Sequence, residues 1–479
     1  MSLPPNNLAN TFSLSGGANL PGRTRINANV TYSFWLQNQD FLPQTITNSL
    51  PSTDAALALP EQSLHGNVQN VLINVTATSR PLPLPVTFTA KYRYYNMMDE
   101  SSTPTFTAFL VNDANFISPT TIRANRFDFM RQDASVDARY QLAASLALTT
   151  GVGWDQMQRS KTREVPLTND FFAKAALDWT PTDWALIRAT YTPSFRRMNR
   201  YCTTCLADLE TLVPGQQGQD QSPLLRKYDE ADRNEQAANL MMQLTPLETL
   251  TITPSLNYAN DDYIASGLFD DSSYQGPGDG NVMLGIQQVT SWSAGIDINW
   301  KPSDRISFTG GYVYESRYEK MRSRYRPFGG DVPALDWISN ITDTIQTVNF
   351  SALAKLIPGV LDLKLNANYS YALGTVFSRN PNATNSVFFN SPPQFPDDKA
   401  QRFPAYTDAL LILGGSLRYY FAKNWVASFN YAYEQWRQTN WQTDTLNPFE
   451  PNVSSIWLGN NPKNFNAQIV SFNLGYQFR

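Results

Sequence analysis

The chain has 479 residues, a formal net charge of -4 with a pI near 5.3, 42% hydrophobic residues and 13% aromatic ones. That balance argues against a nucleic-acid partner, which needs a basic field to neutralise phosphates. A mean hydropathy of -0.37, with no run approaching ~20 apolar residues, excludes a spanning helix but not a spanning β-barrel, in which every second residue faces a polar lumen.

Read with a period of two, the chain resolves into strands. The first are expected near 8–19 and 23–37, where Ile26, Ala28, Val30, Tyr32, Phe34 and Leu36 alternate with Asn27, Asn29, Thr31, Ser33, Trp35 and Gln37. The series continues near 62–79, 86–98, 122–141, 145–158, 167–179, 184–198, 225–245, 249–263, 285–300 and 305–321. It ends near 336–356, 361–377, 403–421, 425–441 and 464–479. Within 361–377, Leu361, Leu363, Leu365, Ala367, Tyr369 and Tyr371 share a face. In the last strand Val470, Phe472, Leu474, Tyr476 and Phe478 oppose Ser471, Asn473, Gly475 and Gln477, the pattern of a barrel-closing strand between lipid and lumen. Many of these apolar faces finish in Tyr or Phe, where interfacial girdles belong.

Short turns alternate with long polar loops. Trp179–Trp184, Leu244–Glu248 and Trp300–Asp304 share a Pro that presets φ, followed two positions later by an acid. Stretches rich in Pro, Asn, Asp and Gly lie roughly at 38–61, 99–121, 199–224, 264–284, 322–335, 378–402 and 442–463, with a shorter loop near 159–166. Nothing marks a domain boundary or a plug, so residues 1–479 are expected to form a single all-β, antiparallel outer-membrane barrel, with short periplasmic turns and long extracellular loops. About 17 strands is an odd number, and single-chain barrels use even ones, so at least one upstream strand is expected to be missing. The terminal strand should then be left as an open edge or pair parallel with the first. Residues 1–20 carry neither a basic n-region nor an apolar h-region and read as the tail of a loop; the alternative is a mature protein with an added Met and one strand hidden from the periodicity.

Chemistry-bearing residues are few. Cys202-Thr203-Thr204-Cys205 lacks the His that c-type haem attachment requires, since Leu206 follows, and with one His in the chain a zinc site has no further ligands. The favoured reading is a structural disulfide in an oxidising compartment, the alternative a redox or partner-docking role. His65, at the edge of a long loop, reads as an exposed loop residue, and no nucleophile–base set or phosphate loop stands out. Asn74 and Asn340 sit in glycosylation patterns but within expected strands of a bacterial-type barrel and are discounted. Lys91, Arg93, Lys174, Asp178, Arg188, Asp297, Glu315, Asp362, Lys364 and Arg418 fall on the polar phase of their strands. They read first as a wetted wall of hydrated or paired charges. The sharper reading is a surface for an inserted protein, which mixed signs suit better than they suit an ion-selective ring.

Several segments resemble the MtrB/PioB family of decahaem-associated outer-membrane proteins: Ser2-Leu3-Pro4-Pro5-Asn6-Asn7, Ser15-Gly16-Gly17-Ala18-Asn19-Leu20-Pro21 with the strand Arg25 to Tyr32, and Ser79-Arg80-Pro81-Leu82-Pro83 leading to Lys91-Tyr92-Arg93-Tyr94-Tyr95. The resemblance implies a C-terminal portion of a barrel of up to about 26 strands. It implies a sheath that houses a periplasmic multihaem cytochrome and carries electrons across the outer membrane, often with an outer-surface multihaem cytochrome as a further partner. No cofactor is expected in this chain; haem c would lie in the partner. The family's CXXC lies near the mature N-terminus, so that role does not carry over to Cys202 and Cys205. Two rival classes remain, a passive or gated porin or transporter, and, more weakly, an outer-membrane enzyme.

Overall fold

A computed structural model describes residues 6–42, 58–81, 83–107, 109–110, 117–118, 122–160, 163–201, 225–264, 283–325, 332–379, 403–422, 424–441, 449–450, 455–456 and 464–476. Its long strands are β1 (Leu8–Leu20), β2 (Thr24–Gln37), β3 (Gly66–Ser79), β4 (Val86–Asp99), β5 (Phe129–Ala143), β6 (Leu146–Arg159), β7 (Leu167–Thr182) and β8 (Ala185–Met198). They continue as β9 (Asp232–Leu247), β10 (Leu250–Ile264), β11 (Leu284–Ser303), β12 (Ile306–Tyr325), β13 (Val332–Ile357), β14 (Leu361–Arg379), β15 (Tyr406–Ala422), β16 (Trp425–Thr439) and β17 (Phe465–Tyr476). Each pairs antiparallel with the next in chain order. With the two-residue strand Leu225–Arg226 they make one 18-stranded sheet. Among the described residues β1 pairs only with β2 and β17 only with β16, so these are the two edges.

The two faces follow from the alternation. On the apolar phase large side chains stay exposed, as Phe12 at 63%, Val152 at 64% and Phe472 at 69% are, which a chain facing lipid tolerates. Asn70, Ala147, Thr168, Ala176, Asp178 and Ser194 are buried, and all six lie on the polar phase, the more enclosed side of the sheet. Aromatic rings gather on the apolar face beside the short turns. Trp300 stacks on Phe308 at 5.5 Å, Phe308 on Phe350 at 6.2 Å and Phe421 on Trp425 at 6.3 Å, forming one girdle. A second lies higher, where Trp292 meets Tyr314 at 5.0 Å.

Several expected strands begin late, the one over 62–79 at Gly66 and the one over 403–421 at Tyr406 among them, and in two others the contacts show why. The one expected over 122–141 begins at Phe129, because Asp99 accepts the Phe127 amide at 3.1 Å and Arg126 donates to the Ser101 carbonyl at 2.8 Å, bending this stretch out of the ladder. The one expected over 225–245 is broken at Lys227–Ala231, where the Ala231 amide donates back to the Lys227 carbonyl at 2.9 Å. Leu225–Arg226 turns away to pair parallel with Leu284–Gly285. Gly285 permits this: its φ is 96°, and a Cβ there would lie 2.4 Å from the Arg226 carbonyl oxygen. Gly285→Ala is therefore expected to detach Leu225–Arg226 at a local cost of about 1–3 kcal/mol, seen as faster trypsin cleavage at Lys227.

Candidate functional site: the polar face

The polar phase of the sheet carries the candidate surface. Cross-strand register places Lys91, Arg93, Lys174, Asp178, Arg188, Asp297, Glu315, Asp362, Lys364 and Arg418 all on it. Asp178 is brought into contact with Arg188 at 2.5 Å and is also held by Arg139, from two strands away. Asp362 lies directly across from Arg418, and Arg93 across from Asp133. Lys174 faces Gly151, and Asp297 faces Gly311, where the absent side chain leaves room for the carboxylate. Val470, Phe472, Leu474 and Tyr476 share the opposite face, across from Tyr431, Phe429, Ala427 and Trp425. Phe478, Cys202 and Cys205 lie outside the described residues.

Counting outward from the short turns separates the charges by height. In the turn-proximal half, roughly the first eight or nine residues of each strand, lie all four polar-face lysines, Lys91, Lys174, Lys355 and Lys364. Arg25, Arg139, Arg188 and Arg418 join them, against the acids Asp137, Asp178, Asp297 and Asp362, and the opposed pair Arg93 and Asp133 marks the boundary. In the loop-proximal half the balance reverses. Asp99, Asp155, Asp170, Glu235 and Asp261 occupy it on β4 to β10. Glu315, Glu319, Asp343, Asp408 and Glu434 occupy it on β12 to β16. The cations at that height are Arg131, Arg159, Arg196, Arg233 and Arg317.

Near the outer ends of β6 to β10 those arginines tie a network across the polar face. Arg233 reaches Asp170 and Glu235 at 2.9 Å and Asp261 at 3.5 Å, and Arg131 reaches Asp155 at 2.6 Å. A cavity of about 500 Å³ opens among Arg131, Asp155, Arg159, Asp170, Arg196 and Arg233. The Lys227–Ala231 turn folds onto this surface: Arg196 donates to the Tyr228 and Ala231 carbonyls at 2.5 and 2.8 Å, and Arg159 to the Asp229 carbonyl at 2.5 Å. Arg163 clasps Asp229 at 2.8 Å and Glu230 at 2.5 Å, while Lys227 pairs with Glu164 at 2.6 Å. Glu230 is fully buried, and burial first, then the neighbouring Glu164, pushes its carboxyl above the usual range while Arg163 pulls it back. Arg226 stacks over the Tyr201 ring at 3.7 Å, and burial pushes the Tyr201 phenol up. The sequence signal for this turn is the charge-dense run Arg226 to Arg233, which the period-two reading absorbs into a strand.

The chain holds a single His, and among the described residues no cluster of His, Cys, Asp or Glu has the arrangement of a metal site. His65 sits at φ 48° just before β3, its amide donating to Ser63 at 3.2 Å, as a loop residue does.

Over residues 1–478 the chain matches the family described as "Putative outer membrane beta-barrel porin, MtrB/PioB". This chain belongs to the MtrB/PioB family. Its apolar girdled face is thus the lipid side of an outer-membrane β-barrel, and its charged face the lumen wall. The chain is also similar in structure to the copper transporter OprC, with 11% identity, 99% of this chain and 72% of that one covered, and a TM-score of 0.46. The alcaligin receptor FauA from Bordetella pertussis matches at 9% identity over 90% of this chain and 68% of its own, with a TM-score of 0.43. The FrpB iron transporter from Neisseria meningitidis matches at 10% identity over 98% and 73%, with a TM-score of 0.41. No curated protein matches this MtrB/PioB chain.

Proposed function

We propose that this MtrB/PioB barrel is a non-catalytic sheath that houses and orients a periplasmic multihaem c-type cytochrome for electron transfer across the outer membrane. A bilayer presents ~30 Å of hydrocarbon, and a polar haem protein crosses it only inside a wall that supplies lipid with an apolar surface. The observation that carries the reading is the lumen wall, where both signs of charge recur along the strands and pair in part across them, as between Asp178 and Arg188. Such a wall suits the irregular surface of a folded protein better than it suits a one-signed selectivity ring. The haem belongs to the occupant, since this chain has no CXXCH and one His.

A passive porin for solutes is the competing reading, favoured by the width that 16–18 strands enclose. Purification of the barrel from outer membranes separates the two. The sheath predicts a stoichiometric co-purifying protein that stains for haem and shows the visible bands of a c-type cytochrome. A barrel that emerges without haem and conducts ions freely in planar bilayers would overturn it.

A further inference from the structure

The lumen wall is polarised along the barrel axis. Among the described residues, and leaving aside the Arg93–Asp133 pair that lies on the boundary, its turn-proximal half carries eight Lys and Arg against four Asp, and its loop-proximal half five Arg against ten Asp and Glu. The asymmetry is not confined to one sector: Lys91 on β4, Lys174 on β7 and Lys364 on β14 are spread around the sheet, as are Asp99, Asp261 and Glu434. Side chains on a concave low-dielectric wall focus their field into the enclosed space, so a net-positive lower ring and a net-negative upper ring act on whatever fills it.

Resting on the sheath reading, we infer that this wall fixes which way its occupant points. The occupant is an elongated protein whose net-acidic end lies at the turn side, which is periplasmic, and whose net-basic end lies toward the long loops outside. In the reverse orientation like charges would face each other at both levels, which is costly in a space too narrow to rehydrate them fully. The restriction of this face's described strand lysines to the lower half fits this assignment, because flexible ammonium groups adapt to carboxylates on a sliding surface. The upper arginines are partly committed to the wall's own acids and to the Lys227–Ala231 turn. Among the upper acids, Glu315 and Glu434 carry no ion pair in the described structure, which leaves them to an incoming cation.

The test is zero-length carbodiimide cross-linking of the barrel purified with its occupant, read by mass spectrometry. Lys91, Lys174 and Lys364 are expected to form amide links with Asp and Glu of the occupant, and Glu315 and Glu434 with its Lys. The two sets must map to opposite ends of the occupant. In the double variant Lys174→Glu with Lys364→Glu, the occupant recovered per barrel is expected to fall about tenfold at 0.05 M salt and much less at 0.5 M, as screening dictates. If the occupant is retained but the two sets of links coincide or interleave along it, the polarity inference fails alone. If no protein is retained, the sheath reading fails and takes the inference with it.

Discussion

Arginine at Leu365 is expected to destabilise the barrel in lipid by about 2–4 kcal/mol, while arginine at Asn368, three residues along the same strand, changes stability by less than ~1 kcal/mol. Leu365 lies on the apolar face, 45% exposed and across from Ala352 and Gly415, so a guanidinium there meets hydrocarbon with no acceptor in reach. Asn368 faces the lumen between Asn349 and Ile412, where a long cation stays hydrated. Lost leucine packing does not account for the contrast, since half of that side chain touches lipid in any case. Leu365→Ala is accordingly expected to cost much less than Leu365→Arg. Urea titration of the three variants in lipid vesicles, followed by tryptophan fluorescence, reads the difference. Equal effects at Leu365 and Asn368 would contradict the assignment of lipid and lumen faces.

The strands were legible in the sequence because two solvents act on each of them. Lipid selects one phase and water the other, so the strand expected over 249–263 appears as Leu250–Ile264 and the one over 361–377 as Leu361–Arg379. Where strand ends leave the bilayer that constraint lapses, and there the reading is weakest. Arg126 and Asp99 divert the segment before Phe129, and the run Arg226 to Arg233 becomes a folded turn and not a strand start. The ten lumen-phase charges follow directly from alternation. Their vertical ordering does not, because Lys364 and Glu434 acquire heights only when the hairpins align their strands. Glu164 and Glu230 were invisible for another reason: periodicity marks which way a residue points, not that a loop returns to bury it.

That buried loop yields the second large effect. Arg163→Ala is expected to destabilise the Lys227–Ala231 turn locally by about 3–5 kcal/mol at neutral pH, because it removes the clasp on Glu230, fully buried, and on Asp229. The pH dependence identifies the cause. The Glu230 carboxyl is raised in the folded protein, so its contribution is fully present below the ordinary Glu value, ~4.3, and is lost as pH rises through the raised one. Without Arg163 the chief influence holding that value down is gone, so the variant should lose more as pH rises to neutrality and recover toward the unmodified protein in acid. Adding Glu230→Gln removes the buried charge and should restore much of the loss at pH 7. The Glu230 and Ala231 amides both donate to the Lys227 carbonyl, at 3.0 and 2.9 Å, so their hydrogen-exchange rates report the turn directly. An Arg163→Ala protein whose excess exchange stays the same from pH 5 to pH 8, after correction for intrinsic rates, would show that the clasp acts by packing and not by charge.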